Sequence, residues 1–211
     1  DGVKVSTTNN IEITANESIY EKIKSILSLS GDVKIIDKEN SIEIESENVT
    51  YYKNKEEIVS NNVKVIDKEN IIEIESENIT YYKDREEIIS KGNTIIHINN
   101  EYVINTSDII YSKKENIIRS EKLVTLEDNF ENKFIAEDFT FLVLDKIFKS
   151  KKINLLDSEK NNYSFNESMV NIKTNEIIGK DIKIDFRNDI FGNSENEPRL
   201  KGNYALANKE E

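Results

Sequence analysis

A near-duplication is the feature that most restricts the fold of this chain. Residues 33–60 read VKIIDKENSIEIESENVTYYKNKEEIVS, and residues 63–90 read VKVIDKENIIEIESENITYYKDREEIIS. The blocks 31–60 and 61–90 are identical at 22 of their 30 positions. A fixed repeat period is typical of proteins in which each copy buries its apolar face only by stacking on the next copy. We therefore expect an array of small, similar units.

The 30-residue period extends over most of the chain. Steps of 30 residues align INTSDIIYSKKENIIRS (104–120), FIAEDFTFLVLDKIFKS (134–150) and, more weakly, SFNESMVNIKTNEIIGK (164–180). A step of 31 residues backwards reaches ITANESIYEKIKSILSLS at 13–30. Because only 36% of the residues are apolar, we expect a thin or hollow array rather than a thick closed core.

Four positions in each copy recur as apolar or small residues, separated by two, three and two residues. A separation of two is the period of a β-strand, and the single step of three indicates a β-bulge that returns the chain to the same face. Each copy is therefore expected to be mostly strand, with these columns facing inward. The inward set used below is Ile13, Ala15, Tyr20, Ile44, Val49, Tyr51, Ile74, Ile79, Tyr81, Ile104, Ile109, Tyr111, Phe134, Phe139, Phe141 and Met169.

The duplicated stretch also predicts a hairpin. If residues 67–70 form a four-residue loop, Val65 lies opposite Ile72 and Lys64 lies opposite Glu73. Apolar side chains then meet on one face, and opposite charges meet on the other. The earlier copy predicts the same register. The outer face is expected to be solvated, with alternating glutamates at Glu43, Glu45, Glu47, Glu73, Glu75 and Glu77.

Two structures remain open for residues 17–30. Ile19, Ile23 and Ile26 lie at helical spacing, and Asn16 is a possible helix N-cap. The corresponding residues of the next two copies instead carry β-branched side chains and a polar centre, which are typical of a strand, a turn and a strand.

Composition and motifs exclude several functions. With 41 acidic and 29 basic residues the net charge is -12, which repels a phosphate backbone, so nucleic acid is not an expected partner. Cysteine is absent, and no Gly-rich phosphate loop or G-x-S-x-G elbow occurs. We expect no catalysis and no cofactor. We also expect no metal site, because alternating glutamates are typical of a solvated strand face and the single histidine, His97, falls in a predicted surface loop. No run of 18 apolar residues or secretory leader is present, so the segment is expected to be soluble with any signal peptide removed.

Five segments in phase carry a resemblance to a known family: ITANESIY, IESENVTY, IESENITY, INTSDIIY and FIAEDFTF. They resemble the repeats of the OstA-like lipopolysaccharide-transport family over about residues 3–190, and GDVKIID resembles the family's second strand. The resemblance implies an all-β fold, an open β-jellyroll whose two facing sheets hold an apolar trough for lipid acyl chains. It also implies that the inward set binds lipopolysaccharide.

The tail FGNSENEPRLKGNYALANKEE resembles the segment with which LptD-type assembly proteins of that family lead from a periplasmic N-terminal domain into an outer-membrane barrel. The likeness lies in Pro198, Arg199, Leu200 and Gly202. It implies a domain at 1–190, a linker at 191–211, and a location at the periplasmic face of the outer membrane.

The resemblance also implies partners. A bridge protein of LptA type is expected to add to an N-terminal edge strand containing Ile11, Ile13 and Ala15, and an outer-membrane lipoprotein of LptE type is expected to join the full-length chain. Two alternatives stay open at this point. The first alternative is a free periplasmic bridge protein of LptA type, and the second is a structural or adhesive β-repeat protein with a filled core.

Overall fold

The computed structural model shows an all-β chain, as the sequence predicted. Its regular elements, in the part that can be described, are 18 strands and two short 3-10 turns at Lys53–Lys55 and Lys83–Arg85. No helix within that part is long and apolar enough to cross a membrane. The described residues are 2–6, 10–129, 131–174, 176–187 and 198–207.

Most strands run antiparallel to the next strand in sequence. In chain order they are β1 (Val3–Ser6), β2 (Ile11–Ala15), β3 (Glu17–Glu21), β4 (Ile26–Asp37), β5 (Ile42–Tyr52), β6 (Glu57–Asp67), β7 (Ile72–Tyr82), β8 (Glu87–Ile98), β9 (Tyr102–Ser107), β10 (Ile110–Ser112), β11 (Ile117–Ser120), β12 (Val124–Asp128), β13 (Lys133–Ala136), β14 (Phe139–Leu142), β15 (Ile147–Leu156), β16 (Asn162–Asn171), β17 (Glu176–Asp185) and β18 (Arg199–Ala207).

The chain divides into two compact units, residues 1–100 with 107–116 and residues 101–106 with 117–211. In the first unit β1 pairs with β2, both β2 and β3 pair with β4, and the ladder continues strand by strand to β8 and then β10. In the second unit β9 pairs with β12, β12 with β13, and β11 with β14. Both β13 and β14 pair with β15, from which the ladder runs to β18.

Every second long strand of the array bends near the middle, where the backbone adopts a left-handed conformation. Such residues recur at the same place in the repeat, and the pairing register of β4 with β5 shifts between Ser30 and Val33. In the first unit the bend separates half-sheet A (33–37, 42–46, 63–67, 72–76 and 94–98) from half-sheet B (26–30, 48–52, 57–60, 78–82 and 87–91). The bending residues are Asp32, Asn62, Gly92, Lys152 and Asp181, with φ of 46, 47, 86, 47 and 53°.

The two half-sheets of the first unit face each other. Across the ladder, Asp37 of half-sheet A is in register with Ile72 of β7. Tyr81 of half-sheet B lies on the same strand, nine residues after Ile72. On a flat sheet that separation along the strand would be about 30 Å. The Tyr81 hydroxyl nevertheless lies 2.7 Å from Asp37 Oδ2. The strands are therefore folded over, and the predicted jellyroll-like arrangement is confirmed.

The predicted bulge is also present. Ser76 and Ile79 are three residues apart, yet both are buried on the inner face, because the register of β7 shifts between Ser76 and Asn78. Residues 17–30 form β3 and the beginning of β4, so the strand interpretation is confirmed there and the helical one is wrong.

The hairpin loop is residues 68–71 and not 67–70, one position later than predicted, which shifts the pairing register by two residues. Asp67 belongs to β6 and pairs with Ile72, so Val65 lies opposite Ile74 and Lys64 lies opposite Glu75. The reason is the Asp67 carboxylate, whose Oδ1 accepts hydrogen bonds from the backbone N–H of Glu69 (3.0 Å) and Asn70 (3.2 Å). Asp67 is thus the last residue of β6, and its side chain stabilises the turn that follows. The inner and outer faces of the strands remain as predicted.

Part of the predicted linker is strand. Arg199–Ala207 form β18 and pair along their length with β17. Residues 188–197 and 208–211 lie outside the described part of the chain. The boundary at 190 and a barrel that follows stay predictions.

Candidate functional site

The interior of each unit is built from the predicted inward set. All of its members except Tyr20 and Met169 are at most 6% exposed. In the second unit the rings of Phe139 and Phe148 are stacked with centroids 5.5 Å apart. The inward-facing side chains thus pack against their neighbours inside their own unit. Their role in binding lipid stays a prediction.

Two predicted inward residues lie elsewhere. Tyr20 is 49% exposed because β3 pairs only with β4 among the described strands. Met169 is 36% exposed and lies in register with Lys149 and Ile178 on the outer face of β15 to β17. The bends at Lys152 and Asp181 are 29 residues apart instead of 30. A slip of one residue moves a strand side chain to the opposite face, which explains the position of Met169.

A first polar cluster joins the half-sheets across the interior of the first unit. It consists of Asp37, Asn40, Tyr81 and Lys83, all at most 9% exposed. The Tyr81 hydroxyl donates to Asp37 Oδ2 (2.7 Å) and accepts from Asn40 Nδ2 (2.9 Å). Lys83 Nζ lies 3.7 Å from Asp37 Oδ2 and donates to Glu39 Oε2 at 2.6 Å. A charged group is tolerated at this depth because it is paired and hydrogen-bonded.

A second polar cluster repeats this arrangement 30 residues later with Asp67, Asn70, Tyr111 and Lys113. The Tyr111 hydroxyl donates to Asp67 Oδ2 at 2.5 Å, and Lys113 Nζ donates to Asp67 Oδ1 at 2.8 Å. Burial by itself would raise the pKa of Asp67, but hydrogen bonds from Lys113, Tyr111 and Asn70 outweigh it and lower that pKa. Burial raises the pKa of Tyr111, and the Asp67 charge raises it further. The carboxylate and the phenol are therefore ionised and neutral, respectively, around neutral pH.

Sequence reasoning missed both clusters. It placed Asp67 and Asn70 in a hairpin loop and assigned Tyr81 and Tyr111 to the apolar inward set without a partner for their hydroxyls. A signal for them was present, since an Asp-x-x-Asn turn is followed in both copies by Tyr at 44 residues and Lys at 46 residues from the aspartate. Each aspartate and its tyrosine are separated by two strands of the ladder. An argument based on neighbouring strands therefore does not find their contact.

The N-terminal edge is not the predicted one. Ile11, Ile13 and Ala15 lie in β2, which is paired on both sides, by β1 and by β4. The short strand VKVS takes the position that the sequence assigned to a partner. Within the described residues the terminal strands are β1 and β3 at one end of the first unit and β18 at one end of the second.

An open groove lies on the second unit, between β14 and β18. Its volume is about 490 Å³. It brings the predicted residues Phe139 and Met169 together with Ile178 and Tyr204, and Ile178 and Tyr204 are 52% and 79% exposed. Three lysines, Lys149, Lys151 and Lys180, also line it.

The outer face of the first unit differs from the prediction at two residues. Glu43 is only 4% exposed, because both of its carboxylate oxygens pair with lysines, Lys34 and Lys68. His97 lies in β8 opposite Glu73 and not in a loop. Compared with β6, β8 has one additional residue next to Gly92, so Ile98 takes the place of Asp67 and His97 faces outward.

Comparisons with known proteins add little to this geometry. No protein-family model matches the chain, and no curated protein matches it. Among solved structures the chain is similar to LptH, described as the LptA homologous periplasmic component of the conserved lipopolysaccharide transport device from Pseudomonas aeruginosa. That match has 14% sequence identity, covers 71% of this chain and 97% of LptH, and has a TM-score of 0.29. A TM-score this low carries no argument about function.

Proposed function

We propose that the chain binds the acyl chains of lipopolysaccharide in the apolar interior of its units and transfers the lipid without a chemical reaction. The observation that carries the proposal is the row of inward apolar residues that recurs with the repeat in both half-sheets. The resemblance of the repeats to the OstA-like family supports the choice of ligand. Burying a methylene contributes about 0.8 kcal/mol, so a saturated chain of about twelve carbons gains on the order of 10 kcal/mol in a dry interior.

Binding requires the interior to open, because its side chains already pack together. The first and second polar clusters hold the half-sheets with hydrogen bonds and ion pairs, which can exchange with water. The chain contains no cysteine that could lock the two halves covalently. In our proposal the half-sheets separate at these clusters while the backbone ladders stay intact.

The terminal strands suggest how lipid passes to a partner. A terminal strand presents unpaired N–H and C=O groups that accept another strand. We propose that a bridge protein of LptA type adds at β1 and β3, at the periplasmic face of the outer membrane. A role as the N-terminal domain of an LptD-type protein, with an LptE-type lipoprotein as partner of the full-length chain, and a role as a free LptA-type bridge have equal support. Similar repeats offer sites of similar affinity, so directional flow needs energy from another component.

A photo-crosslinking amino acid tests the ligand and its location. We expect one at Ile79 or Phe139 to label lipopolysaccharide, because both side chains are inside, and one at Glu45 to give no label, because Glu45 lies on the outer face. Circular dichroism of each variant checks that the strands are retained. Equal labelling from Glu45 would contradict an internal site.

A second candidate function is a structural or adhesive β-repeat with a permanently filled core. The tight packing of the inward set and the bonded hydroxyls of Tyr81 and Tyr111 favour it. Native gel electrophoresis of the purified protein mixed with lipopolysaccharide separates the two candidates. A co-migrating complex supports the carrier, and its absence at saturating lipid supports the structural role.

A further inference from the structure

The outer face of half-sheet A carries the same three charged residues twice. In the earlier copy Lys34 Nζ pairs with Glu43 and, at 2.9 Å, with Glu45. In the later copy Lys64 Nζ lies 2.5 Å from Glu73 Oε1 and 3.8 Å from Glu75 Oε1. Each glutamate pair shares a face because its members are two residues apart on one strand.

The two copies differ in the residues that neighbour the first glutamate of each pair, Glu43 in the earlier copy and Glu73 in the later one. Glu43 uses its second oxygen, Oε2, to pair with Lys68, and its neighbour across the ladder on β6 is Ile66. Glu73 has His97, the only histidine of the chain, as its neighbour on β8. Ligand atoms of Glu73, Glu75 and His97 all lie within 4.8 Å of one another. The later copy thus replaces a lysine contact with an imidazole.

We propose that Glu73, Glu75 and His97 bind a divalent transition-metal ion of the Zn²⁺ class. Two carboxylates and one imidazole form a ligand set that suits Zn²⁺, whereas Ca²⁺ and Mg²⁺ prefer oxygen alone. A tetrahedral site needs a fourth ligand, and water can supply it because these side chains are half-buried or exposed. The site is independent of lipid binding, since it lies on the outer face.

Lys64 is the internal competitor for this site. Its ammonium holds Glu73, and the contact raises the pKa of Lys64. A metal ion has to displace this ammonium from the carboxylates, so the affinity is lower than that of a site without a lysine. Removing the lysine charge should therefore strengthen metal binding, which a merely structural ion pair would not predict.

Zinc titration of the whole chain tests the proposal, with isothermal calorimetry for affinity and proton NMR for the imidazole. Because one histidine is present, its ring signals are unambiguous, and we expect Zn²⁺ to shift them at a ratio of one ion per chain. His97→Ala and Glu75→Gln should each weaken binding by at least about tenfold, the lower range of losses seen even for outer-shell partners of a metal. Lys64→Met should bind more tightly than the wild type.

Glu12→Gln is the control, since Glu12 also lies on the outer face of a strand of the first unit and pairs with a lysine, Lys38, but faces Ile36 in the ladder instead of a histidine. It should leave zinc affinity unchanged. Unshifted imidazole signals at saturating Zn²⁺ would overturn the proposal. So would equal losses in Glu12→Gln and Glu75→Gln, or weaker binding in Lys64→Met.

Discussion

Some charged side chains are buried at positions that a period-two pattern predicts to be exposed to solvent. Glu43 is the clearest case, lying buried beneath two lysines. Burial by itself would raise its pKa, but hydrogen bonds from Lys34 and Lys68 outweigh burial and lower the pKa to about 2. The ionised carboxylate is thus an integral part of the sheet surface.

This shift predicts a pH dependence of stability. The pKa of Glu43 is lower in the folded chain than the value of 4.5 expected when unfolded, so the unfolded state takes up the proton first as the pH falls. The ionised carboxylate therefore stabilises the fold above pH 4.5 and loses this effect between pH 4.5 and about 2. Because Lys34 and Lys68 are partly exposed, we expect a contribution of about 2 kcal/mol at neutral pH.

Urea denaturation of the wild type and Glu43→Gln between pH 7 and pH 3 measures the effect. The difference in the free energy of unfolding should be largest at pH 7 and shrink steadily below pH 4.5. A difference that stays constant over this range would show that the carboxylate charge contributes nothing.

At the scale of elements, the number of residues between two bends decides which side chains face inward. The additional residue of β8 beside Gly92 turns His97 outward, and the shorter interval between Lys152 and Asp181 turns Met169 outward. Gly92 itself has φ of +86°, and a Cβ placed on it would clash with the Glu77 carboxylate. The equivalent bend of the preceding copy, in β6, is made by Asn62.

Substitution of Gly92 tests the demand for a left-handed residue at the bend. Gly92→Val should destabilise the fold by about 1–2 kcal/mol, because a branched side chain is strained in this conformation. Gly92→Asn should cost clearly less, since Asn62 adopts the conformation in the preceding copy and the Glu77 side chain can move away. Chemical denaturation gives both values, and equal losses would show that contact with Glu77 rather than backbone strain is limiting.

Under the proposed carrier function, the polar clusters contribute to the free energy needed to open the first unit. Each hydroxyl bond to a charged group contributes about 1.5–3 kcal/mol. Tyr81→Phe combined with Tyr111→Phe removes these bonds while keeping the rings, so the free energy of unfolding should fall and lipid should enter several-fold faster. Stopped-flow fluorescence with labelled lipopolysaccharide measures the entry rate.

Tyr82→Phe is the control for this prediction. Tyr82 neighbours Tyr81 but faces outward, with the Arg85 guanidinium 3.7 Å from its ring centroid. Its variant should change neither stability nor the entry rate appreciably. An entry rate that does not rise in the double variant would mean that lipid enters without separation of the half-sheets at these clusters.

The repeat period, the strand content, the bulge and most of the inward set were determined by the sequence itself. These features are local. The period of two, and its interruption between Ser76 and Ile79, depend only on residues close together on one strand and on its neighbouring strand. Two nearly identical copies therefore show the same pattern.

Only the tertiary structure decided which groups the buried aspartates and tyrosine hydroxyls bind and which residues meet His97. Asp37 and Tyr81 are separated by 44 residues and two intervening strands, and they meet only because the strands fold over at left-handed bends. The neighbour of Glu73 depends on one additional residue in β8, and an indel of one residue exchanges the two faces of a strand. Composition and periodicity do not resolve a single-residue slip, which is why His97 and Met169 were misplaced while Ile79 and Tyr81 were not.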